Sequence, residues 1–281
     1  MISISNFMKN TLAVAVLLSA VIAEAEPAMR SVCTVPHELD MLIKAGHIQG
    51  ACCSRQGVYL SHQLGIAKIG WDGKLLKTLE APAHLGDTAY ANGRIYGAFV
   101  IRDEKLRKNG MKGLVRVWNE NLELVAEKWV PESLDGITVL GDTVYVGVDR
   151  WGVKKHPLCC VKRLSLDLED KGNVDIDLGF EIAFGVQTMS NDGKDLYFGC
   201  YGGTARVSPD LKKVEKVDFE CSEGLDLVPK TVAKIGGRVF FAVRAMGGNM
   251  QGWRKDPQNN PPRIRLDFYR LEGGRFVKVS R

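Results

Sequence analysis

Beyond residue 23 this sequence has no apolar run long enough to cross a bilayer as a helix, which excludes a polytopic membrane protein. It has no CxxC or HxxxH spacing, so the common zinc frameworks are absent. GxSxG, P-loop and HExxH are missing too, and with them the usual signatures of serine hydrolases, nucleotide-phosphate sites and zincins. Nucleic acid is not an expected partner, because no recognised module and no interleaving of arginines with aromatics is found. At 45% hydrophobic and 25% charged, the 281 residues fit neither a disordered tail, a coiled coil nor a collagen-like rod. Glycine is plentiful instead, at 30 residues, and points to a β-rich chain with many tight turns.

The one apolar run, TLAVAVLLSAVIA at residues 11–23, follows Lys9 and precedes Ala23-Glu24-Ala25. Thirteen residues are too few for a spanning helix, and the small-x-small pattern suits signal peptidase. The expectation is a signal peptide over 1–25, a partly helical N-terminal segment over 26–46, and one domain over 47–281, secreted or periplasmic. Seven cysteines remain after cleavage, and in an oxidising compartment disulfides are the default expectation, with one thiol left over. Cys52-Cys53 and Cys159-Cys160 are poor chelators, since neighbours on a strand point to opposite faces.

Five short motifs recur: Gln49-Gly50-Ala51, Leu85-Gly86-Asp87, Asp135-Gly136-Ile137, Phe184-Gly185-Val186-Gln187 and Glu223-Gly224-Leu225-Asp226. Their glycines lie 36, 50, 49 and 39 residues apart. Each is followed by a turn and a strand containing an aromatic, as in Val58-Tyr59-Leu60 or Leu196-Tyr197-Phe198. A hairpin then completes the unit, turning at Asp72-Gly73, Glu120-Asn121, a Glu169–Gly172 loop, Pro209-Asp210 and Gly273-Gly274. Four strands per unit without convincing helix predict an all-β protein, a β-propeller of five four-stranded blades in preference to six. A twisted β-sandwich is the alternative, but it does not repeat one four-strand unit.

On these repeats the chain resembles the open-repeat secreted propellers of the NHL, lactonase and regucalcin-like kind. The regucalcin-like metal site does not carry over, since no asparagine stands at a strand-A start. Asp87, Asp135 and Glu223 resemble the two aspartates and a glutamate of arabinanase-type channels, although the surrounding motifs differ.

Propeller geometry implies that strand-A starts converge at one channel mouth. His47, Gln49, His84, Asp87, Asp135, Gln187, Glu223 and Asp226 would meet there. Clustered carboxylates repel, so either their pKa values rise or a cation sits among them. A divalent cation, Ca²⁺ first, would be held by His84, Asp87 and Asp226; no organic cofactor is expected. Asp87, Asp135 and Glu223 are the candidate catalytic residues, one protonated and one ionised carboxyl being what glycosidic cleavage requires. The B–C loops Arg102–Lys112, Arg150–Leu158 and Met246–Arg263 add a basic rim, and residues 230–281 carry a net +9 against −4 for the rest. Gln49, Gln187, Arg150, Trp151 and Arg254 are then the candidate ligand-binding residues. An anionic small molecule or glycan is the expected ligand of a monomer without a membrane span. The competing expectation is a non-catalytic glycan- or protein-binding propeller whose channel groups only satisfy backbone donors.

Overall fold

The computed structural model describes residues 39–40, 48–63, 65–150, 155–233, 236–246 and 263–279. After β1 (Leu39–Asp40), the first unit is β2 (Ile48–Cys53), β3 (Gly57–His62), β4 (Gly65–Gly70) and β5 (Leu75–Glu80). The second is β6 (His84–Ala91), β7 (Arg94–Val100), β8 (Gly113–Asn119) and β9 (Leu124–Val130). The third comprises β10 (Leu134–Leu140), β11 (Thr143–Val148), β12 (His156–Ser165) and the first part of β13 (Asp170–Asn191). The second part of β13 opens the fourth unit, continued by β14 (Leu196–Tyr201), β15 (Gly203–Val207) and β16 (Val214–Val217). The fifth is β17 (Leu225–Leu227), β18 (Arg238–Met246), β19 (Arg263–Glu272) and β20 (Arg275–Lys278). All pairings are antiparallel, as hairpin-linked strands require. Among the described residues, helix is confined to a 3₁₀ turn at Glu104–Leu106 and a single α turn, α1 (Lys230–Ala233).

The innermost strands pack in cyclic order: β2 on β6, β6 on β10, β10 on β13, β13 on β17, and β17 back on β2. Five apolar clusters fill the five seams between units. Tyr59, Tyr96, Tyr145 and Tyr197, one per second strand, are buried in the seam facing the following unit. The seam between fifth and first units holds Val58, Leu60, Phe241 and Val243, so the ring closes by side-chain packing. β1 adds to this closure by pairing with β19 at Ile264 and Arg263. The N-terminal segment, which reads as partly helical, therefore supplies a strand at Leu39–Asp40.

The outer hairpins share a device. Asn119, Ser165 and Ser208 each begin a turn closed by the N–H of Leu122, Leu168 or Leu211, and these three leucines adopt left-handed conformations. For an L-residue that conformation costs about 1–2 kcal/mol. All three leucines are buried in the seam behind them, and full burial of such a side chain offsets the cost at about 1.5–3 kcal/mol. The hydroxyls of Tyr59 and Tyr145 donate to the turn carbonyls of Glu120 and Pro209. The Glu169–Gly172 loop expected in the third unit is accordingly misplaced. Its turn lies at Ser165–Glu169, anchored by Leu168, and residues 170–172 already belong to β13.

The disulfide expectation is also corrected: Cys52, Cys53, Cys159, Cys160, Cys200 and Cys221 are free thiols, and Cys33 lies outside the described residues. Cys52 and Cys53 do point to opposite faces, one into the seam with the second unit and one into the seam with the fifth. Burial raises both thiols.

At the centre, two aspartates tie the ring together. Asp87 of β6 is fully buried, and its Oδ2 accepts from Met189 N (2.7 Å), Thr188 Oγ1 (3.0 Å) and Ile137 N (3.3 Å). One carboxylate thus joins the second, third and fourth units. Asp226 of β17 accepts from Cys53 N (2.8 Å) and Ser190 Oγ (3.4 Å), joining the fifth unit to the first and fourth. Glycine allows this crowding. A methyl at Gly50 would overlap Asp87 Oδ1 and stand 2.6 Å from Asp87 Cα, and one at Gly86 would overlap Asp135 Oδ1. Gly50→Ala should therefore lower stability by at least about 2 kcal/mol, as seen in urea unfolding, because the obstacle includes backbone.

Burial pushes Asp226 up to about 6, with the Cys53 amide opposing. Its folded-state pKa exceeds the unfolded value, so folding favours the protonated form, and the stability it contributes is present at low pH and lost as pH rises through about 6. Melting wild type and Asp226→Asn between pH 4 and 7.5 should show wild type gaining on the variant as pH falls. A constant difference would show that Asp226 titrates alike in folded and unfolded chains.

Candidate functional site

The mouth is the face where first strands begin and second strands end, brought together by antiparallel pairing: His84 lies opposite Val100, Leu134 opposite Val148, Ala183 opposite Tyr201. Just after each of these pairs the register shifts, leaving residues 86–87, 135–136 and 184–187 out of the ladder. Asp135, Asp149 and Gln187 are buried beneath the surface of this face. Burial raises the Asp135 carboxyl well above its ordinary range, and the Asp149 and Asp87 carboxylates raise it further. The Arg102 guanidinium and a hydrogen bond from Gln187 oppose the rise. The Asp135 carboxyl is therefore pushed toward its protonated form.

Neighbouring backbone holds this floor in place. Asp149 N donates to Ser133 O (2.8 Å), and Arg150 N donates to Phe184 O (3.1 Å), stapling the loop after β11 to β10 and β13. Gln187 Nε2 reaches the same Phe184 carbonyl at 3.4 Å. Phe184 has φ of 64° and Gly185 of 91°, an irregularity that sets Phe184 and Gln187 at the mouth. The Phe184 ring meets Tyr201 edge to face at 5.9 Å. Burial raises the Tyr201 hydroxyl, and the Glu223 and Asp135 carboxylates add to the rise, so it stays a neutral donor beside both.

Of the expected site residues, the structure gathers Asp135, Gln187 and Glu223 around one mouth. Arg150 stands beside it, its guanidinium bonded to Asp175 at 3.2 Å. Gln49 and His84 sit half-buried at the starts of β2 and β6. Asp87 and Asp226 lie further in, bonded to other units. His47, Trp151 and Arg254 lie outside the described residues. Within the basic rim, Arg107 is turned back onto its own loop, bonding Ile101 O and Glu104. Among the described residues, no group of three His, Cys, Asp or Glu side chains is placed to hold a metal ion, and of the set expected to do so Asp87 and Asp226 are bonded to other units.

Sequence reasoning missed Asp149, Tyr201 and Phe184 as parts of the site and placed Arg102 only in the rim. Asp149 and Tyr201 end the runs Val144-Tyr145-Val146-Gly147-Val148 and Leu196-Tyr197-Phe198-Gly199-Cys200. Reading the ends of second strands together with the starts of first strands would have found them, because the two are antiparallel neighbours.

No protein-family model matches the chain, and no curated protein matches it. Solved structures do resemble it. The Myxococcus xanthus glutaminyl cyclase superposes with a TM-score of 0.53 at 10% identity, over 84% of this chain and 92% of that one. A luciferin-regenerating enzyme aligns at TM-score 0.44 and 11% identity, over 79% and 78% of the two chains. The Neurospora crassa Pan2 WD40 domain aligns at 0.44 and 8%, over 83% of this chain and 65% of that one. At such identities the likeness concerns fold alone. With the closed ring of four-stranded units, it makes this chain an all-β protein of β-propeller architecture.

Proposed function

We propose that the protein is exported and binds an anionic carbohydrate, or a related carboxylate-bearing lactone, at the channel mouth. The observation that carries this reading is the pairing of a buried acid floor, Asp135 with Asp149, with the Arg102 guanidinium acting on Asp135 and the Gln187 amide bonded to it. A sugar acid carries groups complementary to these: hydroxyls for the carboxyls and the amide, and a carboxylate for the arginine. Long-range attraction from the basic rim would speed encounter with such a ligand. The reading includes no cation.

The raised Asp135 carboxyl favours turnover as well as binding. A carboxyl pushed toward its protonated form beside a second carboxyl is the asymmetry that acid–base cleavage of a glycosidic or lactone bond uses. Here Asp135 donates the proton to the leaving oxygen and Asp149 orients the attacking water. Asp87 is fully buried, with its Oδ2 taken up by backbone and hydroxyl donors of other units, and takes no part in this scheme.

Screening uronate oligosaccharides and lactones for turnover, then comparing wild type with Asp135→Asn, tests the catalytic half. Loss of about 10²–10⁴-fold in kcat with ligand binding retained is the expected result. Wild-type turnover in the variant would rule out Asp135 as the acid. Arg102→Ala should weaken uronate binding by about tenfold and flatten its salt dependence in calorimetric titrations. An unchanged salt slope would remove Arg102 from the ligand.

A further inference from the structure

Tyr201 is among the few large hydrophobic residues left exposed, at 40%, and the described one that stands at the mouth beside the acid floor. The surrounding chain builds that exposure. Second and third strands are joined by 12 residues in the second unit (101–112), but in the fourth unit only Gly202 separates β14 from β15. Gly202 has φ of 122°, and a methyl there would overlap the Glu181 carbonyl, so this shortest connection depends on glycine. Gly203 follows at φ of 150°, its missing side chain leaving room for the Phe180 ring and the Lys216 stem. The wall of the mouth is thereby reduced to one residue at Tyr201.

Phe184 braces the exposed ring. The two ring planes stand at 86° to one another, a stable edge-to-face geometry that also forms an open right-angled corner. Phe184 is held in its left-handed conformation by Arg150 N and Gln187 Nε2 on its carbonyl. Left-handed backbone at a bulky residue is disfavoured by about 1–2 kcal/mol, so a strained element has been placed at the site itself. The Glu223 and Asp135 carboxylates act on Tyr201, Gln187 Nε2 and Arg150 N bond the Phe184 carbonyl, and the Arg102 guanidinium acts on Asp135.

We propose that the Tyr201–Phe184 corner is a sugar-ring subsite, in which the C–H face of a six-membered uronate ring stacks on Tyr201. The ring hydroxyls then reach Glu223, Asp135 and Gln187, and the ring carboxylate lies toward Arg102. The assignment rests on the carbohydrate reading above and adds to it where one ring sits and which surface recognises it. A flat aromatic surface bordered by acceptors suits a pyranose, which is apolar on its faces and polar around its rim. An acidic peptide offers the charge without that alternation.

The test is isothermal titration of the full mature chain with a trimer of galacturonate, the matching neutral galactose trimer and an aspartate trimer. Wild type, Tyr201→Ala, Tyr201→Phe and Arg102→Ala are compared, and melting temperature and near-ultraviolet circular dichroism confirm the fold of each. Wild type should bind the galacturonate trimer. Tyr201→Ala should bind about tenfold more weakly, and Tyr201→Phe within about twofold of wild type, because the ring face and not the hydroxyl makes the contact. Arg102→Ala should lose preference for the galacturonate over the galactose trimer, whereas Tyr201→Ala should weaken both. Galacturonate binding that Tyr201→Ala leaves intact would overturn the subsite while leaving the carbohydrate reading in place. If wild type binds neither sugar, or binds the aspartate trimer more tightly than both, the carbohydrate reading falls and the subsite with it.

Discussion

Five inner strands meet around one axis at spacings that leave no room for ordinary side chains, and the rest of the molecule follows from how that crowding is relieved. Glycine at Gly50 and Gly86 lets each strand receive the aspartate of the next unit. Asp87 then accepts two backbone N–H groups and a hydroxyl from two other units, and Asp226 does the corresponding work across the seam between last and first. Losing a donor to a buried carboxylate is costly, so the bonds to Asp87 Oδ2 and to Asp226 hold the inner ends of the strands in one arrangement. The tyrosines, the left-handed leucines and the five apolar seams extend that arrangement outward.

This division of labour also sorts the carboxylates chemically. Asp87 and Asp226 are bonded to backbone groups of other units, and their role there is cohesion. Asp135, Asp149 and Glu223 lie at the mouth, where Arg102, Gln187 and Tyr201 act on them. Residues of the same type at nearly the same motif position therefore do different things, depending on whether a neighbouring strand presents a donor.

Much of the fold was legible locally. The pairs Asn92-Gly93 and Gly273-Gly274 adopt the left-handed conformations their hairpins need, and alternating strands between such turns imply four-stranded units. The Glu169–Gly172 stretch misled by composition: it is turn-like, yet the turn is fixed by Leu168, which wins through burial of its side chain. The cysteines misled because their number and the expected compartment say nothing of whether two thiols approach each other; the six described thiols are free. Half of the site was visible as first-strand starts, whereas Asp149 and Tyr201 were hidden at second-strand ends.

What the sequence by itself determined is the repeat, its turns and the apolar alternation, because these depend on residues a few positions apart. It also placed the mouth, since the start of every first strand in such a ring lies on one face. Only the tertiary structure decided which carboxylates hold the ring and which face outward, that Phe184 and Tyr201 form a corner, and that β1 joins β19. Those outcomes join residues far apart in the chain, as when Asp87 meets Met189 and Leu39 meets Ile264. They follow from closing the ring, where each strand's donors and empty space are supplied by units the local sequence does not contain.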